Sequence, residues 1–504
     1  MQRSSVLLVL ALAACSPAGV ASPQVLVRGA RVLDGTGAPE QRVDVRWVGD
    51  RITEVGALQP AAGETVIDAQ GAVLAPGFID THSHHDRSLP EEPGALGAVS
   101  QGITTIVVGQ DGGSSFPLSE WFREREARPS AINVASYSGH NTLRALVLGD
   151  DFQREATSEE VDSMIRLLEA DLAAGGLGLS SGLEYDPGIY ASPDEVLALA
   201  RRTAREGGRY ISHLRSEDRA LWDAVEEILT IGRETGMPVQ ISHMKLAMRA
   251  LWGRAPELLA RLDQARAQGI DVTADVYPYT FWQSTMTVLL TERDFDDRDA
   301  FAYALSEMVA PEGMVLARFA PAPELEGRTL AEIATGKGLD PVDAYMWLVA
   351  ERERTRTSGG DAAESILATS MDEADVAALL RWPHSNVSSD GALAGAHPRG
   401  FGAFPRVLAA VREDDLFPLA EAVHRMTGLA AEHMGFEDRG TLRPGAVADL
   451  VLFDPDVVVD RATTDAPHQP AAGILRVWVA GQPVYEDGGV TGARPGRVLR
   501  RSGT

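Results

Sequence analysis

The sequence predicts an α/β protein: a (β/α)8 TIM-type barrel carrying a small β-sandwich domain assembled from both ends of the chain. Three observations lead there. Between residues 76 and 430, short apolar runs alternate with amphipathic stretches; polar residues gather directly after the apolar runs; and period-two, β-branched text fills residues 24–75 and returns over 431–490. Repeated strand–helix alternation selects a parallel sheet. Polar clusters at strand ends select the closed barrel, which carries its chemistry on that rim.

In chain order, "MQRSSVLLVLALAACSPAG" combines Arg3, a short apolar run and small residues at a cut site, the pattern of a secretory signal over residues 1–14. "LAAC" resembles a bacterial lipobox, which implies lipidation of Cys15, a tether over 15–23, and, with Ser16 following, a periplasmic place on the outer membrane. Cys15 is the only cysteine in 504 residues, so neither disulfides nor thiol catalysis are available to the mature chain. The formal charge of −26 argues against nucleic acid or an anionic lipid surface as partner. Oligomeric state is left open.

"VLVRGARVLDG", "VDVRWVGDRITEVG" and "TVIDAQGAVLAPG" read as antiparallel strands separated by turns. "AVADLVLFDP" and "GILRVWVAGQPVYEDG" repeat that texture, so the two ends pair into one domain. In the barrel region "GITTIVVG", "AINVASYSG", "GGLGLSSG", "RYISHL", "PVQISH" and "IDVTADVYP" are the strand candidates. "SEEVDSMIRLLEADLAAG" and "SPDEVLALARRTAREGG" are helices in which Ser158 and Ser192 read as N-caps before acidic first turns. Residues 285–380 break the rhythm and are dense in charge; they are expected to form a helical insertion over the barrel mouth.

"GFIDTHSHHD" places His82, His84 and His85 at the end of an apolar run, in a chain with only eleven histidines. Positions two apart on a strand share a face, so His82 and His84 point together and His85 points away, to a supporting place or to solvent. His213 in "RYISHL" and His243 in "PVQISH" each follow Ile-Ser, which gives them equivalent places on successive strands. Four histidines on three strands favour a metal site over four separately satisfied imidazoles. Asp390 in "NVSSDGAL" is the carboxylate that could ligate the metal and act as base.

These strings, with "QGITTIVVGQDGGSS", "GLEYDPGIYAS", "ADVYPYT", "HPRGFGAFPRVL" and "RGTLRPGAVADLVLFDP", resemble the amidohydrolase superfamily and, within it, the N-acyl-D-amino-acid deacylases. The resemblance implies that His82 and His84 serve one metal position, His213 and His243 another, and Asp390 the proton transfers. It implies one or two divalent ions, zinc foremost. One departure stands out: the family cysteine of a "GNCG"-like turn is replaced by Asp111 in "VGQDGG". A carboxylate can ligate and bridge two ions, but it is a harder donor than sulfur. Glu184 is a weaker alternative for the bridge.

By the same resemblance Lys245, Arg399 and Tyr277 hold the substrate α-carboxylate, with Arg399 able to grip it through two bonds. Tyr185 and Tyr190 are expected to line the pocket or position the scissile carbonyl, and His140 either donates to the developing oxyanion or caps its own loop. The implied activity is hydrolysis of N-acyl-D-amino acids, or of dipeptides with a C-terminal D-residue. Alternatives are an amidohydrolase of cyclic amides or other acyl compounds, and an exported binding protein without catalysis.

Overall fold

The computed structural model describes residues 23–501. The expected signal segment and Cys15 lie outside the described residues. Eight parallel strands make the centre: β1 (Phe78–Asp80), β2 (Ile103–Val108), β3 (Asn133–Ser136), β4 (Gly178–Gly182), β5 (Arg209–His213), β6 (Val239–Ile241), β7 (Val272–Val276) and β8 (Ser385–Val387). Each pairs with its sequence neighbour, β3 reaching β4 through its continuation at Ser138–Gly139. The ring closes just beyond the strand ends: Asp390 N donates to His82 O at 2.9 Å and His84 N to Gly391 O at 2.8 Å. Every residue of β2, β4 and β7 is buried, as required of strands covered by helices outside and packed side chains within.

The outer helices carry their own start signals. Ser192 caps Pro193–Arg205 by accepting from Glu195 N, with Pro193 at the first position. The other expected cap is displaced by one residue. Thr157, not Ser158, caps Ser158–Ala173, because only Thr157 has a glutamate three positions on, Glu160, to complete a reciprocal capping box.

The two ends form the satellite domain. A four-stranded sheet (Arg51–Gly56, Asp44–Val48, Gln24–Arg28, Thr65–Asp68) faces a seven-stranded sheet in which Val73–Pro76 pairs with Leu450–Phe453 and this with Ile474–Val479. Val27 and Trp47 from one sheet meet Leu74, Leu450 and Trp478 from the other in one core, the indoles edge to face at 5.5 Å. The helix Gly428–Met434 stays with the barrel, Ala430 and Ala431 packing on Ile79. The satellite's C-terminal half therefore starts later than residue 431.

The insertion departs from expectation in kind and extent. It includes helices, among them Pro341–Thr357, but also a three-stranded antiparallel sheet of Phe281–Ser284, Glu364–Thr369 and Met314–Phe319. "ESILAT" and "MVLARF" are strands that the surrounding charge obscured. The helix Glu373–Arg381 belongs to the barrel wall: Asp375 accepts from Gly253 N and Ala255 N.

Candidate metal centre and substrate pocket

The C-terminal ends of the barrel strands deliver the polar groups. His82 and His84 follow β1, Asp111 follows β2, His213 ends β5, His243 follows β6 and Asp390 follows β8. Asp111, His243 and Asp390 adopt φ of 54°, 34° and 47°. Left-handed backbone at non-glycine residues is sterically costly and tends to mark functional sites.

Two donor groups meet at Asp111. Its Oδ2 lies 3.2 Å from His84 Nε2 and 3.5 Å from His82 Nε2, and Asp390 Oδ1 lies 3.3 and 3.6 Å from the same two nitrogens. Asp111 Oδ1 turns the other way, 3.2 Å from His243 Nε2, which is 3.0 Å from His213 Nδ1. A tetrahedral ion with bonds of about 2.1 Å holds its donors about 3.4 Å apart. The observed spacings match that figure, and His82 Nε2 is buried with no hydrogen-bond partner. The donor set fits one divalent ion on each side of a shared carboxylate.

The pKa shifts follow from how closely these imidazoles and carboxylates face one another. Burial opposes charge on His82, but Asp111 and Asp275 override it and hold the imidazole well above its usual value. His243, lowered by burial and Lys245, is raised to about 9 by Glu217 and Asp111. Asp111 is driven well below the carboxylate range, against burial, by His82 and His243. Asp390 is likewise held low, by Arg399 and His84 against burial.

Three carboxylates stand in supporting places, and two of them, Glu217 and Asp275, were missed in the sequence. Glu184 accepts from His213 Nε2 at 2.9 Å; Glu217 lies 3.0 Å from His243 Nδ1; Asp275 lies 3.6 Å from His82 Nδ1 and accepts from His243 N. Glu184 and Glu217 stand at the ring nitrogens that face away from the donor cluster, which sets tautomer and orientation, whereas Asp275 is too far from His82 Nδ1 for a hydrogen bond. Asp111, not Glu184, lies between the two histidine pairs. Signals existed: Glu217 is four residues after His213, and Asp275 is an acid inside the apolar strand "VTADV". His85 is buried, paired with Ser83 Oγ and Gly400 O.

Lys245, Tyr277 and Tyr185 line a cavity beside the second donor group, together with Asp390. Lys245 Nζ is not a free donor: Glu217 holds it at 2.7 and 2.8 Å. Arg399 lies 2.7 Å from Asp390 Oδ2 and 4.8 Å over the Tyr277 ring. The Tyr277 hydroxyl is buried without a partner, and burial pushes its pKa up to about 12, so it remains a neutral donor. Tyr185 packs on His213 with ring centroids 4.3 Å apart.

Two expectations fail. His140 is fully buried in an ion-paired cluster, its Nε2 donating to Glu195 at 2.8 Å while Arg144 holds the other carboxylate oxygen. A carboxylate on the helix after β4 outcompetes any role at the rim. Tyr190 packs on Phe152 and receives a hydrogen bond from Gln153, outside the cavity lining.

A closed barrel with imidazoles and carboxylates converging on its rim defines a metal-site barrel of hydrolytic type. The amidohydrolase family model matches residues 65–485. The D-aminoacylase of Alcaligenes xylosoxydans xylosoxydans is 36% identical, over 95% of this chain and 98% of its own length. The N-acyl-D-glutamate deacylase of the same organism is 38% identical over 95% and 96%. The crystal structure of N-acyl-D-glutamate deacylase from Bordetella bronchiseptica, complexed with zinc and a phosphonate mimic of the tetrahedral intermediate, superposes with a TM-score of 0.84 at 35% identity, covering 95% of this chain and all of that one. The chain belongs to the amidohydrolase family and, within it, to the N-acyl-D-amino-acid deacylases.

Proposed function

We propose that the protein is a metal-dependent amidohydrolase that cleaves the amide bond of N-acyl-D-amino acids. The observation that carries this reading is the pair of donor groups sharing Asp111 beside a cavity lined by Lys245, Tyr277 and Asp390. His82, His84 and Asp111 would hold one divalent ion, with Asp390 beside it, and Asp111, His213 and His243 a second. Such an ion acidifies water and polarises a carbonyl. Asp390 Oδ1 takes the proton of the attacking water and returns it to the leaving amine. Arg399 fixes the other Asp390 oxygen at 2.7 Å, so a single oxygen serves the transfer. Tyr277, as a neutral donor, and Arg399 hold the substrate carboxylate, and the position of these groups relative to the donor cluster selects the D-configuration.

A screen of N-acetyl-D-amino acids, N-acetyl-L-amino acids and L,D-dipeptides, with metal measured on the same sample, tests the reading. Turnover of D-substrates only, with zinc-class metal bound, supports it. Turnover of L-substrates at equal rates, or of none, overturns it.

Export and lipid anchoring through Cys15 are part of the same proposal, supported by the "LLVLALAAC" segment. Incorporation of labelled fatty acid that is lost in Cys15→Ala tests it; equal membrane retention of both forms removes the anchor.

A further inference from the structure

The substrate cavity holds one carboxylate that the centre does not use. Glu184 and Glu217 brace His213 and His243, and Glu217 also neutralises Lys245. Asp218, on the same wall, is 2% exposed. Its Oδ1 accepts from Ser216 Oγ, its Oδ2 is buried without any hydrogen-bond partner, and no cation lies within ion-pairing distance among the described residues. It belongs to neither donor group, nor to the set of Glu184, His213 and Glu217 that lies within ligand distance beside them. Burying a charge without a partner is expensive, so an acid kept this way inside a substrate cavity points to a partner that arrives with the substrate.

The rest of the wall narrows the chemistry. Val288, Leu289 and Met308, all from the insertion, face the same cavity. An apolar wall ending at a carboxylate accommodates a short aliphatic stem tipped with a cation. We infer that Asp218 forms a subsite for a primary ammonium group of the substrate, bound through a charge-assisted hydrogen bond. This rests on the hydrolase reading above and adds a substrate class to it. The ammonium can reside on the D-side chain, as in an N-acyl-D-lysine, or on the acyl half, as in an aminoacyl-D-residue.

Matched substrates separate the cases. N-acetyl-D-lysine is compared with N-acetyl-D-norleucine, and glycyl-D-leucine with N-acetyl-D-leucine, in wild type and Asp218→Asn. At least one ammonium-bearing member should exceed its neutral twin tenfold or more in kcat/KM, and that ratio should fall at least tenfold in the variant. Preference in the lysine pair places the cation on the side chain; preference in the glycyl pair places it on the acyl half. Neutral twins turned over as fast as charged ones, or a preference that survives in Asp218→Asn, would overturn the subsite while leaving the hydrolase reading intact. Absence of turnover on all four would strike the hydrolase reading instead. In that event, calorimetric affinities of the four compounds for wild type and Asp218→Asn decide the subsite by the same tenfold criterion. The wild-type comparison stands even if Asp218→Asn fails to fold.

Discussion

Around Asp111 the two donor groups differ in how their imidazoles are held. His213 and His243 lean on Glu184 and Glu217 at 2.9 and 3.0 Å. His82 faces Asp275 at 3.6 Å, and His84 has Arg87 3.4 Å from its Nδ1. A carboxylate behind an imidazole fixes its tautomer and raises its basicity. The second group is thus preorganised by the protein, whereas the first is held chiefly by the groups it faces, Asp111 and Asp390. The reactive carboxylate sits on the less braced side, where Arg399 rather than a histidine support sets its position.

The largest test of that division is Asp390→Asn. It should retain its fold and at least the ion of the second group while kcat falls more than about a hundredfold, the scale of losing a general base; steady-state kinetics and metal analysis on one sample measure both. Turnover above a hundredth of wild type would remove Asp390 from the chemistry.

Glu217→Gln should weaken metal binding at the His213/His243 group by about 10–100-fold, the cost of losing such a support, and leave the other group's metal in place. Chelator competition with metal counted per chain reads it. Equal loss from both groups would erase the contrast drawn above.

The pH dependence of metal uptake sharpens it further. His243 is raised to about 9 in the metal-free protein, so below that value a proton must leave before the ring can ligate. Affinity at this group should rise by about tenfold per pH unit from 7 to 9 and then level. Glu217→Gln, which removes a raising charge, should shift the plateau to lower pH.

Arg87→Ala should have the smallest effect. Arg87 is exposed, and interactions of that kind contribute about 0–1 kcal/mol. A change in metal affinity at the first group of less than about fivefold is expected, by the same competition assay.

Much of this centre was legible in the sequence because it is built from local register. Histidines two apart on one strand, and two Ile-Ser-His endings on successive strands, place imidazoles on the rim whatever the details of packing. Asp111 was legible only against the family, as the residue standing where a cysteine is expected. Glu217 and Asp275 escaped because their roles depend on contacts between strands, 28 residues from Lys245 and 32 from His243. His140 misled for the converse reason: it ends a strand-like run as the ligands do, but Glu195, 55 residues on, claims it.

The alternation of strands and helices up to the insertion, the β texture of the two chain ends and the rim places of the four histidines were determined by the sequence alone, because hydrophobic period and strand-end position act over a few residues. Which carboxylate bridges, which ones brace, which cations are already neutralised and which acid is left unpaired were decided by the closed barrel. Closure brings β1 against β8 and sets side chains hundreds of residues apart within 4 Å, a distance at which charge and desolvation outweigh any local preference.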